Sequence, residues 1–223
     1  MSRFTRIEVF LAMQKAPIIP VFYHKDTEVA KQIVKACYDG GVRAFEFTNR
    51  GDFAHDIFGE LNKWVSKECP EMVMGIGSIA DAPTASLYFQ LGANFIVGPL
   101  LNPDIFKVCN RRQVAYIPGC GTVSEVGLAQ ELGAEAVKIF PGDVVEDAFV
   151  KGVKAPMPWT NIMVTGGVTP TEENLTKWFQ AGVSYVGMGS NLFPKDVIAA
   201  KEWDKITQLC KDAFAIVAKI RTQ

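Results

Sequence analysis

Glu131-Leu132-Gly133-Ala134-Glu135-Ala136-Val137-Lys138-Ile139-Phe140-Pro141-Gly142 holds one structural period of this chain. A helical stretch ends on Gly133, a residue that enters the left-handed region at little steric cost and turns the chain back. A short apolar run follows and halts at Pro141 and Gly142, which predicts a buried strand over residues 136–139. Lys138 breaks that run. A buried lysine has its ammonium form disfavoured, and a neutral amine is a nucleophile toward carbonyl carbon through Schiff-base formation. The plainer alternative is a lysine that snorkels out at the strand end or pairs with a carboxylate.

The same helix-end signature recurs as Asp39-Gly40-Gly41-Val42, Leu91-Gly92-Ala93-Asn94 and Ala181-Gly182-Val183-Ser184, each ahead of another apolar run. Strands are predicted at residues 18–23, 44–48, 73–76, 95–97, 114–117, 136–139, 162–165 and 185–188. Helices are predicted at 27–39, 54–67, 82–91, 103–110, 124–132, 143–151, 171–181 and 201–219, with an extra one at 6–15 before the first strand. Strands that read as unbroken apolar runs are covered on both faces, as in parallel sheets. About eight such units without a break in composition predict a closed (β/α)8 TIM barrel of the α/β class, with an extra N-terminal helix, as one domain over residues 1–223. An open doubly wound sheet is the alternative, but no Gly-x-Gly-x-x-Gly turn follows the first strand.

The chain has 223 residues, 48% hydrophobic and 21% charged, with a net charge of −1, which describes a globular protein without the basic field that nucleic acid requires. No apolar run is long enough to span a bilayer. Charges within residues 1–10 interrupt the apolar stretch a signal peptide needs, so a cytoplasmic location is expected. Cys37, Cys69, Cys109, Cys120 and Cys210 are dispersed, and His24 and His55 are the two histidines. These counts speak against a disulfide framework, a zinc site or a Ser-His-Asp triad, so neither metal nor cofactor is expected.

In such a barrel, functional groups gather at the C-terminal strand ends. Glu46 lies between Phe45 and Phe47, on the opposite side of its strand from both. If that side is the lumen, burial raises its pKa and suits it to proton shuttling. Arg50, just past the strand end, can hold a carboxylate with two hydrogen bonds. A structural Glu–Arg ion pair is the alternative. Ser78 either adds a hydroxyl to that carboxylate site or caps the next helix. Gly166-Gly167 and Gly189-Ser190 follow the last two strands, where this barrel class builds its phosphate cradle; the alternative is two tight turns.

Taken in order, these residues resemble the 2-keto-3-deoxy-6-phosphogluconate aldolase family, also called the 2-keto-4-hydroxyglutarate aldolases. The Glu-x-Thr-x-Arg pattern is matched by Glu46, Thr48 and Arg50, and Lys-x-Phe-Pro by Lys138 to Pro141. Thr165-Gly166-Gly167, Gly189-Ser190 and Ile117-Pro118-Gly119 also fit, and the likeness runs from Pro17 to Ser190. The resemblance implies a Schiff-base aldolase acting on a small 2-keto acid, with Lys138 as the imine-forming lysine and Glu46 as general acid/base. It implies Arg50 and Ser78 on the substrate carboxylate, Pro99 and Phe140 lining the pocket, and Gly166, Gly167, Gly189 and Ser190 on a phosphate. It also implies a homotrimer without metal. Gly98-Pro99-Leu100 stands where the family often has Ser-Pro-Gly, and Val164 where it often has proline; both departures are expected on the pocket wall. Two competing readings keep the barrel: a phosphosugar isomerase or epimerase with Glu46 as base, and a non-catalytic sugar-phosphate binding protein.

Overall fold

The computed structural model describes residues 2–222. Six of the ten helices among the described residues start where a side chain takes up free amide groups of the first turn. Asp26 opens α2 (Thr27–Asp39), accepting from the Glu28 amide at 2.8 Å, and Asp81, Asn102, Thr122 and Thr171 do the same for α4 (Ala82–Gln90), α5 (Pro103–Arg112), α6 (Val123–Glu131) and α8 (Glu172–Ala181). Thr5 and Glu8 form a reciprocal capping box at the start of α1 (Arg6–Lys15). Gly41, Gly92, Gly133 and Gly182 then turn the chain at φ between +84° and +102°, as the repeated helix-end signature predicts. The remaining helices are α3 (Ala54–Glu68), α7 (Gly142–Lys154), α9 (Lys195–Ala199) and α10 (Trp203–Arg221).

Nine parallel strand segments alternate with these helices: β1 (Ile18–Phe22), β2 (Ala44–Thr48), β3 (Val73–Gly77), β4 (Phe95–Val97), β5 (Ala115–Ile117), β6 (Gly119–Cys120), β7 (Val137–Ile139), β8 (Ile162–Thr165) and β9 (Tyr185–Met188). They lie in the order β5-β4-β3-β2-β1-β9-β8-β7-β6. β5 and β6 are one stave interrupted at Pro118, which has no amide hydrogen to donate. The Lys138 amide donates to the Pro118 carbonyl (2.8 Å), and the Gly98 amide to the Ile117 carbonyl (3.1 Å), so this stave joins the two ends of the sheet. The result is the predicted TIM-like α/β barrel.

Alternation along each strand splits the apolar residues into two cores. Phe45, Phe47, Ile76, Ile96, Ile139, Val164 and Val186 point outward and pack under the helices. Ile19, Ala44, Val73, Phe95, Ala115, Ala136, Met163 and Tyr185 point inward, and Val9 and Met13 of α1 join them. Helix α1 thus stoppers the barrel at the N-terminal ends of its strands. Full burial of one such large apolar side chain is worth about 1.5–3 kcal/mol.

Three local features depart from the sequence reading. The helix expected over 201–219 is α10, shifted to start at Trp203, and an unexpected short helix, α9, precedes it, with Lys201 in the left-handed region (φ 56°) between them. Helix α7 begins at Gly142 and breaks at Glu146 (φ 59°, ψ 175°). Val164 lies on the outer face of β8, with a methyl group 2.6 Å from where a side chain on Gly142 would sit. This corrects the expectation for Val164: the substitution changes barrel–helix packing and not the pocket wall, because the strand's alternation turns that position away from the lumen.

Candidate active site

Glu46 and Lys138 both face the lumen, 1% and 6% exposed, and Lys138 Nζ lies 3.9 Å from Glu46 Oε1. That spacing is too long for a hydrogen bond and short enough for strong electrostatic coupling. Burial raises the Glu46 pKa above its ordinary 4.5, with the charges of Lys138 and then Arg50 pulling the other way. Glu46 Oε2 is buried without a hydrogen-bond partner among the described residues. An orphaned buried oxygen is costly, and such groups mark places built for something other than stability.

Glycines on neighbouring strands make room for Glu46 and for Thr165, and one beside Lys138 admits the Pro99 backbone. Gly119 is the direct cross-strand partner of Lys138, and a side chain on it would strike the Pro99 carbonyl. Thr48 of β2 pairs with Gly77, and a side chain there would collide with the Glu46 carboxylate. Thr165 pairs with Gly187, and a side chain on Gly187 would occupy the position of Thr165 Oγ1, itself buried without a partner among the described residues.

Arg50 follows the end of β2, and its Nε donates to Ser78 Oγ at 3.3 Å. Ser78 has φ +62°, a left-handed conformation that is costly for a residue with a side chain and typical of functional sites. The Phe140 ring centre is 5.0 Å from Lys138 Nζ. The six residues expected at the reacting end (Lys138, Glu46, Arg50, Ser78, Pro99 and Phe140) therefore collect at one mouth of the barrel.

The four residues expected at the phosphate behave differently from one another. Gly166 (φ +102°) and Gly167 (φ +68°) form a left-handed pair packed against the start of α7, where a side chain on Gly166 would lie 2.7 Å from Asp143 Oδ1. Gly189 has no left-handed φ, and a side chain there would have ordinary contacts, 3.7 Å from the Val21 carbonyl at the nearest. Ser190 is exposed and starts a turn whose carbonyl accepts from the Phe193 amide (3.1 Å). Asn191 Nδ2 donates to the Val168 carbonyl at 2.9 Å and ties the two loops together.

A cleft of about 570 Å³ opens beside Thr48, Arg50 and Ser190 and runs toward β1 and α9, away from Lys138. Of its lining, His24 and Lys195 went unmarked in the sequence reading, as did the lumen-facing role of Thr165. Period-two alternation from Met163 could have flagged Thr165; nothing local flags the other two. Among the described residues no three His, Cys, Asp or Glu side chains are grouped to hold a metal ion.

This arrangement, a buried lysine facing a protonatable carboxyl with a guanidinium beside them, suits imine chemistry on a keto acid. The family model for KDPG and KHG aldolases matches residues 9–209. The chain belongs to the KDPG and KHG aldolase family. It is 32% identical over 209 residues to a 2-dehydro-3-deoxy-phosphogluconate aldolase of Pseudoalteromonas atlantica, covering 92% of this chain and 94% of that one. It is 31% identical to the KHG/KDPG aldolase of Escherichia coli K12 over 201 residues, 88% of this chain and 90% of the relative. In fold it is similar to KDPG aldolase from Legionella pneumophila, a structure with pyruvate captured as a covalent carbinolamine, at a TM-score of 0.82 and 24% identity, covering 91% and 96% of the two chains. This member of the aldolase family is thus a carbon–carbon lyase. No helix among the described residues is long and apolar enough to cross a membrane.

Proposed function

We propose that this aldolase cleaves a 2-keto-3-deoxy sugar acid, phosphorylated at its far end, to pyruvate and an aldehyde such as glyceraldehyde 3-phosphate, through an imine on Lys138. The observation that carries the reading is the 3.9 Å approach of two buried ionisable groups, Lys138 and Glu46, beside the Arg50–Ser78 contact. Burial favours the protonated form of Glu46, which places a proton donor beside the lysine nucleophile.

The amine nitrogen adds to the C2 ketone, and Glu46 protonates the departing hydroxyl as water to give the iminium. Glu46, now a carboxylate, takes the proton of the C4 hydroxyl. The C3–C4 electron pair moves into the iminium as C4 becomes the aldehyde. The resulting enamine is reprotonated at C3 by Glu46, and water hydrolyses the imine to pyruvate and free lysine. Arg50, with Ser78 holding its guanidinium, fixes the carboxylate so that C2 meets Lys138 in one orientation. Gly166, Gly167, Gly189 and Ser190 hold the far phosphate, and its binding energy positions the reacting end. Pro99 and Phe140 wall the pyruvyl carbons. The working unit is the single barrel domain, assembled as a homotrimer in the cytoplasm.

Borohydride reduction in the presence of pyruvate tests the mechanism. Wild-type protein gains a reduced pyruvyl adduct on Lys138 by mass spectrometry, and Lys138→Ala gains none. An adduct that persists in that variant would sink the assignment.

A further inference from the structure

The cleft beside Arg50 and Ser190 has a chemistry of its own. Its wall is apolar, with the Phe22 and Phe193 rings 4.8 Å apart and Ile198 beside them. Its polar lining includes Arg50, His24 and Lys195, with Ser190 shared with the phosphate loops and no Asp or Glu in the lining. Lys195 makes no ion pair with any described residue. His24 is oriented: its ring lies parallel to Phe22 (3°, centres 6.3 Å apart), and Nδ1 accepts from the Asp26 amide at 3.1 Å. The Asp26 backbone thus occupies Nδ1 and leaves Nε2 for a ligand.

The opposite side of the proposed phosphate site is acidic. The Gly166–Gly167 turn packs on Asp143, whose carboxylate would repel a dianion. Side-chain positive charge that can complement the backbone of these loops is available in the cleft, on Lys195 and Arg50. We infer that this cleft is the subsite for the far end of the substrate chain, where Lys195, assisted by His24, selects a terminal oxyanion, a phosphate ester or a carboxylate. The inference rests on the aldolase reading for the identity of the chain, but its binding test does not depend on imine chemistry.

The full-length protein is titrated by calorimetry with glycerol 3-phosphate, glycerate and glycerol, none of which can form an imine. At least one of the two anions binds more tightly than glycerol, and Lys195→Met weakens that anion about tenfold or more, the size expected for one lost charge-assisted hydrogen bond. Lys195→Arg restores most of the affinity. His24→Asn, which keeps an acceptor for the Asp26 amide, weakens it less. In turnover, Lys195→Met lowers the ratio of kcat/KM for a 6-phosphorylated or 6-carboxylated 2-keto-3-deoxy acid to that for the neutral 6-hydroxyl compound by a similar factor, mainly through KM. A loss confined to glycerol 3-phosphate assigns the subsite to phosphate, and one confined to glycerate assigns it to a carboxylate. The subsite is overturned if wild type binds neither anion better than glycerol, or if Lys195→Met binds both as wild type does. Lys195-dependent anion binding without borohydride trapping would instead retain the subsite and remove the aldolase mechanism.

Discussion

The two halves of the barrel lumen are built from the same strands and obey opposite rules. Toward the N-terminal ends, Ile19, Val73, Phe95, Met163 and Tyr185 fill the interior, and α1 closes it with Val9 and Met13. Toward the C-terminal ends, Gly77 and Gly187 leave space that Glu46 and Thr165 occupy, and Gly119 admits the Pro99 backbone beside Lys138. Large apolar side chains below supply stability and rigidity. Glycines above give up packing so that polar groups can lie flat against the neighbouring strand. Stability and chemistry are separated along one axis.

That separation can be broken from either side. The largest effect is expected for Glu46→Gln, which removes the proton carrier: kcat falls by about 10²–10⁴-fold while borohydride still traps pyruvate, measured as initial rates beside adduct mass. Phe95→Ala in the lower half is expected to cost about 3–5 kcal/mol in chemical denaturation, with trapping retained in the folded protein. Gly77→Ala reaches across the boundary. Its methyl collides with the Glu46 carboxylate, so about 1–3 kcal/mol of overpacking cost is accompanied by a fall in kcat, a pairing that Phe95→Ala does not produce.

The smallest effect is in the pH dependence of stability. Folded Glu46 holds its proton above the ordinary value of 4.5, so in the window between 4.5 and the raised value the folded state binds more protons than the unfolded state. Stability is therefore fully present below 4.5 and declines as pH rises through the window. Denaturation midpoints of wild type and Glu46→Gln, compared across pH, should move in favour of the variant as pH rises. A pH-independent difference would mean that Glu46 titrates as it does in water.

The barrel was readable because its signals are local and repeated. The boundaries of α1 and α2 come directly from Thr5 with Glu8, from Asp26 and from the glycine at 41. The lumen-facing pair was readable because a charge in an apolar strand is conspicuous, as Glu46 and Lys138 are. What escaped depends on several segments at once. The interruption at Pro118 matters because two different neighbours pair on either side of it. The short α9 packs against α10, and the left-handed Ser78 contacts Arg50. His24 and Lys195 are far apart in sequence, and each reads as an ordinary surface residue until folding lines them along one cleft.

The plug made by α1 has a kinetic consequence. A vessel with a single opening admits reactants and discharges products through the same aperture, in an order fixed by depth. On the proposed mechanism the fragment tethered to Lys138 sits below the aldehyde, so the aldehyde departs first. In the synthetic direction pyruvate must be loaded before its partner, and high aldehyde concentrations should obstruct the entry of pyruvate.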